Sequence, residues 1–151
     1  MPEYLEATFD KFIFRVKDGY LYNREGFWAS FQGSWAAVGV TDFLQKSSGD
    51  ITFLNTVEPG STVKQSDEIG TIETIKAAFG IISPVSGRVT EVNLQLEDKP
   101  HLINLDPYNS GWIYRIELSD PEGDKSSLLS TPEYFELMEQ LIAQEAKKLN
   151  E

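Results

Sequence analysis

Glu73-Thr74-Ile75-Lys76-Ala77 is the stretch whose reading decides the fold. Extended, apolar-rich runs flank it, Ile69 to Ile75 before and Ile81 onward after. Two such runs separated by a short break fold back as a hairpin, and Lys76 then stands near its tip. A lysine at a tip is ordinarily solvated decoration. It is a poor nucleophile until another protein desolvates it or draws off its proton.

Outward from the hairpin, Pro59-Gly60 and Ser83-Pro84-Val85-Ser86-Gly87 read as turns. Val57 to Val63 and Ile82 to Val89 both run from a Pro turn through a Gly into a Val-led strand, a hint of duplication around Lys76. Lys11 to Val16 alternates, with Phe12, Phe14 and Val16 on one face. Tyr20 to Tyr22, Phe27 to Phe31 and Trp35 to Val40 suggest a meander. Thr41-Asp42 offers a helix N-cap, with Gly49 closing about two turns. Asp50 to Asn55 and Arg88 to Leu96 read as extended, Glu97 to Asp106 as irregular or one helical turn. Trp112 to Leu118 alternates cleanly as a strand, and Trp28, Trp35 and Trp112 read as core anchors. Asp120 to Ser127 has the composition of a polar linker. Ser130 to Glu133 matches a capping box, and Tyr134, Leu137, Met138, Leu141 and Ile142 make one apolar stripe at helical spacing. Lys147 and Lys148 suit the negative end of that helix. The expectation is a mainly β protein with a short internal helix and an amphipathic C-terminal helix packed on its own domain.

Composition removes whole classes of chemistry. The 151 residues include 24 acidic and 13 basic side chains, a formal net charge of −11. Such a surface repels phosphate backbones and anionic lipid, which argues against nucleic-acid and membrane partners. No cysteine is present and only one histidine, His101. Thiolate sites, disulfides and His-clustered metal sites are therefore excluded. There is no glycine-rich phosphate loop with a lysine, no H-E-x-x-H and no EF-hand loop. Asp67-Glu68 and Glu97-Asp98 are adjacent acidic pairs; neighbours on a strand point to opposite faces and make poor acid/base partners, so both pairs read as solvated charge. The acidic start, Met1 to Glu6, is unlike a signal peptide, which makes the cytoplasm the default address.

From Gly39 to Leu118 the chain resembles the H protein of the glycine cleavage system. The resembling segments are Val38-Gly39-Val40-Thr41-Asp42-Phe43, Gly49-Asp50-Ile51, Glu73-Thr74-Ile75-Lys76-Ala77, Ser83-Pro84-Val85-Ser86-Gly87-Arg88-Val89, Val92-Asn93, and Leu102-Ile103-Asn104 through Asp106-Pro107-Tyr108 to Gly111-Trp112. The resemblance implies a lipoyl-domain-like fold, a flattened β barrel or sandwich over residues 11–119. An N-terminal extension (1–10) precedes it, and a linker plus C-terminal helix (120–151) follows. It implies a monomeric carrier rather than an enzyme, with lipoate on Lys76 in amide linkage. It also implies that Glu73, Gly60 and Gly87 present the lysine to the lipoylating enzyme. Biotin carriage fits less well, since biotin carriers place methionines beside the lysine, where Ile75 and Ala77 stand here.

Two departures bear on cargo. The family's His-Glu-Trp run is Gly26-Phe27-Trp28 here, and its acid four residues after the lysine is Gly80. Those two acids are thought to hold the cationic amine of a loaded arm, and an ammonium in a cleft needs a counter-charge or water. With Phe27 and Gly80 in the arm cleft, the expectation favours a carrier outside glycine cleavage, serving a heterodisulfide-reductase-like sulfur-oxidising complex. The alternative is an orthodox H protein working with glycine decarboxylase, the tetrahydrofolate-dependent aminomethyltransferase and dihydrolipoamide dehydrogenase. A second alternative is an unmodified binding paralogue.

Overall fold

The computed structural model describes residues 3–149, so the outermost residues of the expected N-terminal extension and C-terminal segment lie outside the described residues. A hairpin of β1 (Tyr4–Phe9) and β2 (Phe12–Lys17) leads into β3 (Leu21–Tyr22), β4 (Phe27–Gln32) and β5 (Trp35–Val40). Then come α1 (Asp42–Ser48), β6 (Ile51–Thr56), β7 (Thr62–Val63), β8 (Glu68–Thr74), β9 (Ala78–Ile82) and β10 (Gly87–Val92). The chain continues through α2 (Gln95–Asp98), α3 (Leu102–Leu105), β11 (Tyr114–Leu118), α4 (Pro121–Ser127) and α5 (Thr131–Leu149). A six-stranded sheet, in the order β3-β4-β5-β11-β10-β7, and a three-stranded sheet, β6-β8-β9, accompany the β1–β2 hairpin. Every pairing is antiparallel. The sheets stay open, so the flattened β structure is a sandwich and not a closed barrel.

Both larger sheets contribute to one aliphatic core. Val38, Val40, Val89 and Ile116 come from the six-stranded sheet, and Ile51, Ile69, Ile72 and Ile81 from the three-stranded one. Alternation along the strands sends these side chains inward and their neighbours to solvent. Tyr114 bridges the sheets: its hydroxyl donates to Ile69 O at 2.5 Å and accepts from Val57 N at 3.0 Å. Burial pushes that phenol up to about 12, which keeps it a neutral donor.

A second core is aromatic. Phe14, Tyr22, Trp28, Phe43, Tyr108 and Tyr134 pack with Val16, Met138 and Ile142 beneath α5. The helix stripe expected from sequence is thus the face that packs on the domain. Its capping box is formed, with Ser130 N donating to Glu133 Oε1 at 2.9 Å and Glu133 N to Ser130 Oγ at 3.3 Å. In α1, Thr41 Oγ1 accepts from Leu44 N and Gly49 N closes on Gln45 O.

Two expectations need correction, the linker from Asp120 to Ser127 and the core anchors Trp35 and Trp112, and other details are new. Residues 4–9 are a strand paired throughout with β2, because Leu5, Ala7 and Phe9 alternate with exposed Glu6 and Thr8. The segment expected as a linker contains helix α4, capped by Asp120 with Pro121 at its start. Buried Asp124 anchors it, accepting from Ser86 N at 2.7 Å. Of the three tryptophans only Trp28 is a core anchor, its indole N–H shared between Val40 O and Pro107 O. Trp35 is 36% exposed and Trp112 half-buried, and the Arg115 guanidinium lies over both rings. Phe12 is exposed, since it lies at the open turn of the first hairpin. Some boundaries also move: β10 ends at Val92, β11 starts at Tyr114, and two short helices replace the single expected turn.

Candidate functional site

The β8–β9 hairpin places Lys76 at its tip. Ile72 faces Phe79 and Glu73 faces Ala78, which leaves Thr74 to Ala77 as the turn. Thr74 organises that turn. Its backbone N–H donates to Ala77 O at 2.8 Å, and its hydroxyl oxygen accepts from Lys76 N at 3.2 Å and Ala77 N at 3.1 Å. Short hydroxyl-to-backbone bonds of this kind fix a turn without help from packing.

The tip is also tied to the body. Ile75 N donates to Asp50 O, in the connection between α1 and β6. Asn104, from α3, accepts from Ile51 N at 2.9 Å and donates to Gly49 O at 3.2 Å and Gln45 Oε1 at 2.9 Å. The Lys76 side chain is exposed and leans across Gly49, where a Cβ would lie 3.4 Å from Lys76 Cε. Among the described residues its ammonium has no carboxylate partner. The result is an accessible primary amine on an ordered turn, beside the 70% exposed Ile75. An amine so presented can be acylated by an enzyme that reads the hairpin's shape, and this fits the attachment of lipoate.

The other expected site residues fall into four places. Glu73 is exposed on β8, three residues before the lysine. Gly60 and Gly87 lie together elsewhere, around the β7–β10 pairing: Gly60 N donates to Val89 O at 2.7 Å and Gly87 pairs with Val63. Gly87 has a structural reason to be glycine. Its φ is 155°, and a Cβ there would lie 1.9 Å from Glu117 O. Phe27 is 2% exposed and belongs to the aliphatic core, so it presents almost no surface to a cleft. Gly80 lies on β9 opposite Thr71.

Sequence reading missed Thr74, Asp50 and Asn104 as the groups that hold the tip. Their side chains or carbonyls act through contacts far apart in the chain, and only the threonine next to the turn gave a local signal. It also missed Glu68. The space that a side chain at Gly80 would take is occupied by the Glu68 carboxyl, whose Oε1 would lie 2.2 Å from a Cβ built there.

Comparisons with known proteins agree with this geometry. The family model for Glycine cleavage H-protein matches residues 20–141. A glycine cleavage system H protein of Rubrobacter xylanophilus is 43% identical over 120 residues, covering 80% of this chain and 92% of that protein. Glycine cleavage system H protein 4 of Aquifex aeolicus is 36% identical over 133 residues, covering 88% and 77%. The crystal structure of a glycine cleavage system H protein from Mycobacterium marinum superposes with a TM-score of 0.72 at 28% identity, covering 79% of this chain and 95% of that one. Family match, identity and fold together place the chain in the glycine cleavage H-protein family, whose members are lipoyl carrier proteins and not enzymes.

Proposed function

We propose that Lys76 carries lipoate in amide linkage, and that the arm takes an aminomethyl group from glycine decarboxylase to the aminomethyltransferase. Dihydrolipoamide dehydrogenase would then restore the disulfide. The observation that carries this reading is the isolated, exposed Lys76 amine at the ordered hairpin tip of a glycine cleavage H-protein family member. The relatives' names support glycine cleavage, and none of them supports the sulfur-oxidising route that Gly80 and Phe27 suggested.

Lipoate supplies a dithiol–disulfide couple that a cysteine-free chain lacks. The chain's own part is presentation. Thr74 holds the turn, and Asp50 and Asn104 fix it to the body, so that the amine projects from one defined point. A tethered arm raises the effective concentration of its cargo at each partner's active site. Glu73, Gly60 and Gly87 serve recognition by the lipoylating enzyme, the buried Gly87 indirectly, through the close approach to Glu117 O that sets the β10–β11 pairing. The charge of −11 favours partners with basic docking faces and makes association weaken as salt rises.

Complementation tests the reading. The gene should restore glycine-dependent one-carbon supply to cells lacking their own H protein. Failure despite full lipoylation of Lys76 would overturn it.

A further inference from the structure

Gly80 is not a glycine for the sake of its backbone. Its φ is outside the left-handed region, unlike those of Gly70 and Gly87. What its missing side chain makes room for is the Glu68 carboxyl, with Oε1 2.2 Å and Cδ 2.6 Å from the position a Cβ would take.

A β-bulge delivers that carboxyl. Glu68 faces Ile82 and Thr71 faces Gly80, so three steps along β8 match two along β9. The extra residue turns both Ile69 and Ile72 into the core, although they are three apart. It also returns Glu68 to the face that carries Gly80 and Ile82; without it Glu68 would point the other way. The bulge is held by structure: Tyr114 donates to Ile69 O, and a Cβ at Gly70 would lie 2.4 Å from Asn55 O. Asn23 Nδ2, donating to Ile82 O at 3.0 Å, fixes the far side of β9. Glu68 is exposed, and among the described residues no cation pairs with it.

We propose that Glu68 is the counter-charge for the cationic amine of the cargo, held over β9 by the bulge and by the absence of a side chain at Gly80. This deepens the proposed function and rests on it, because an aminomethyl group is an ammonium at neutral pH and most alternative cargoes are not. Lys76 and Gly80 are four residues apart on β9 and its turn, about 13 Å along a strand. A lysine extended by an eight-carbon acyl group has about a dozen bonds and spans that distance. Glu68 is thus a specificity-determining position for charge, supplied from β8 where the neighbouring strand has none.

The test uses the lipoylated protein, reduced and loaded chemically. One arm thiol, formaldehyde and ammonium condense to the S-aminomethyl arm with loss of one water, so no partner enzyme is needed. Backbone amide shifts of Gly80 and Ile82 report docking, with an S-methylated arm as the neutral comparator. The expected result is that the aminomethyl arm, and not the methyl arm, shifts both amides. In Glu68→Gln the docked fraction relative to free arm falls by about tenfold or more. The double variant Glu68→Ala/Gly80→Asp, which moves the carboxylate to β9 and vacates the space it needs, restores it. Equal docking of both arms, or docking unchanged in Glu68→Gln, overturns the inference. Refusal of the wild-type protein by glycine decarboxylase would instead count against the proposed function, and would leave this readout as it is.

Discussion

The core between the two larger sheets is mainly aliphatic, with the Tyr114 hydroxyl as its bridge, whereas the core beneath α5 is aromatic and stitched by several hydroxyls. In the first, Val38, Val40, Ile72, Ile81 and Ile116 are held by volume alone. In the second, Tyr22 and Tyr134 stack with ring centroids 4.6 Å apart, Thr41 Oγ1 and the Tyr134 hydroxyl lie 3.0 Å apart, and the Tyr108 hydroxyl donates to Arg15 O at 2.6 Å. Shape-filling supports a sheet whose register is already set by its ladders. Directional bonds are needed where a helix, a hairpin and a loop must meet at one angle. The Lys76 hairpin stands on the first core, so damage to that core, and not to the second, should reach the presentation of the lysine.

The largest effect that sharpens this contrast is at the tip. Lys76→Arg keeps the charge but removes the acylable amine, so lipoylation and carrier activity fall to background. As an exposed substitution it shifts stability by no more than about 0.5 kcal/mol, readable by denaturant unfolding alongside intact mass. Next come matched truncations, Ile72→Ala and Met138→Ala, one in each core. Both side chains are fully buried, and each change costs about 2–5 kcal/mol. At a temperature where both variants are folded, only Ile72→Ala should slow lipoylation. Equal slowing by Met138→Ala would break the separation of the two cores.

A smaller effect tests the stitching. Tyr134→Phe removes the bond to Thr41 and costs about 1 kcal/mol. Burial raises the Tyr134 phenol to about 12, so the contribution does not vary between neutral pH and pH 9. The smallest is a pH effect at the start of α5. Hydrogen bonds from Ser130 hold the Glu133 carboxyl below its ordinary value of 4.5. The folded form therefore prefers the carboxylate, and the contribution is present above that value and lost as pH falls through the folded one. Glu133→Ala should flatten the acid side of the stability profile, measured by thermal unfolding from pH 6 down to pH 3.

The parts of this fold that sequence made legible share one property: their signal is local. The Thr41 cap, the Ser130–Glu133 box, the α5 stripe and the Lys76 turn are each specified by residues within a turn or two of one another. What escaped is decided at a distance. Helix α4 looks like a linker because Gly123 and the serines dominate its composition, yet Asp124 anchors it to Ser86. Trp35 and Trp112 look like core, yet both stack on Arg115 at the surface. The surroundings of Gly80 escaped for the same reason. The bulge that brings Glu68 over it is a matter of register between two strands, which no spacing within one strand reveals.

If Lys76 is a lipoyl attachment point serving glycine cleavage, the protein in its native host carries the group there. Intact mass of the protein from its native host, with fragmentation around residue 76, tests it most directly. A lipoyl adduct on Lys76, with an aminomethyl-bearing fraction when glycine is supplied, is the predicted result. An unmodified Lys76 in cells whose other lipoyl domains are loaded would contradict it.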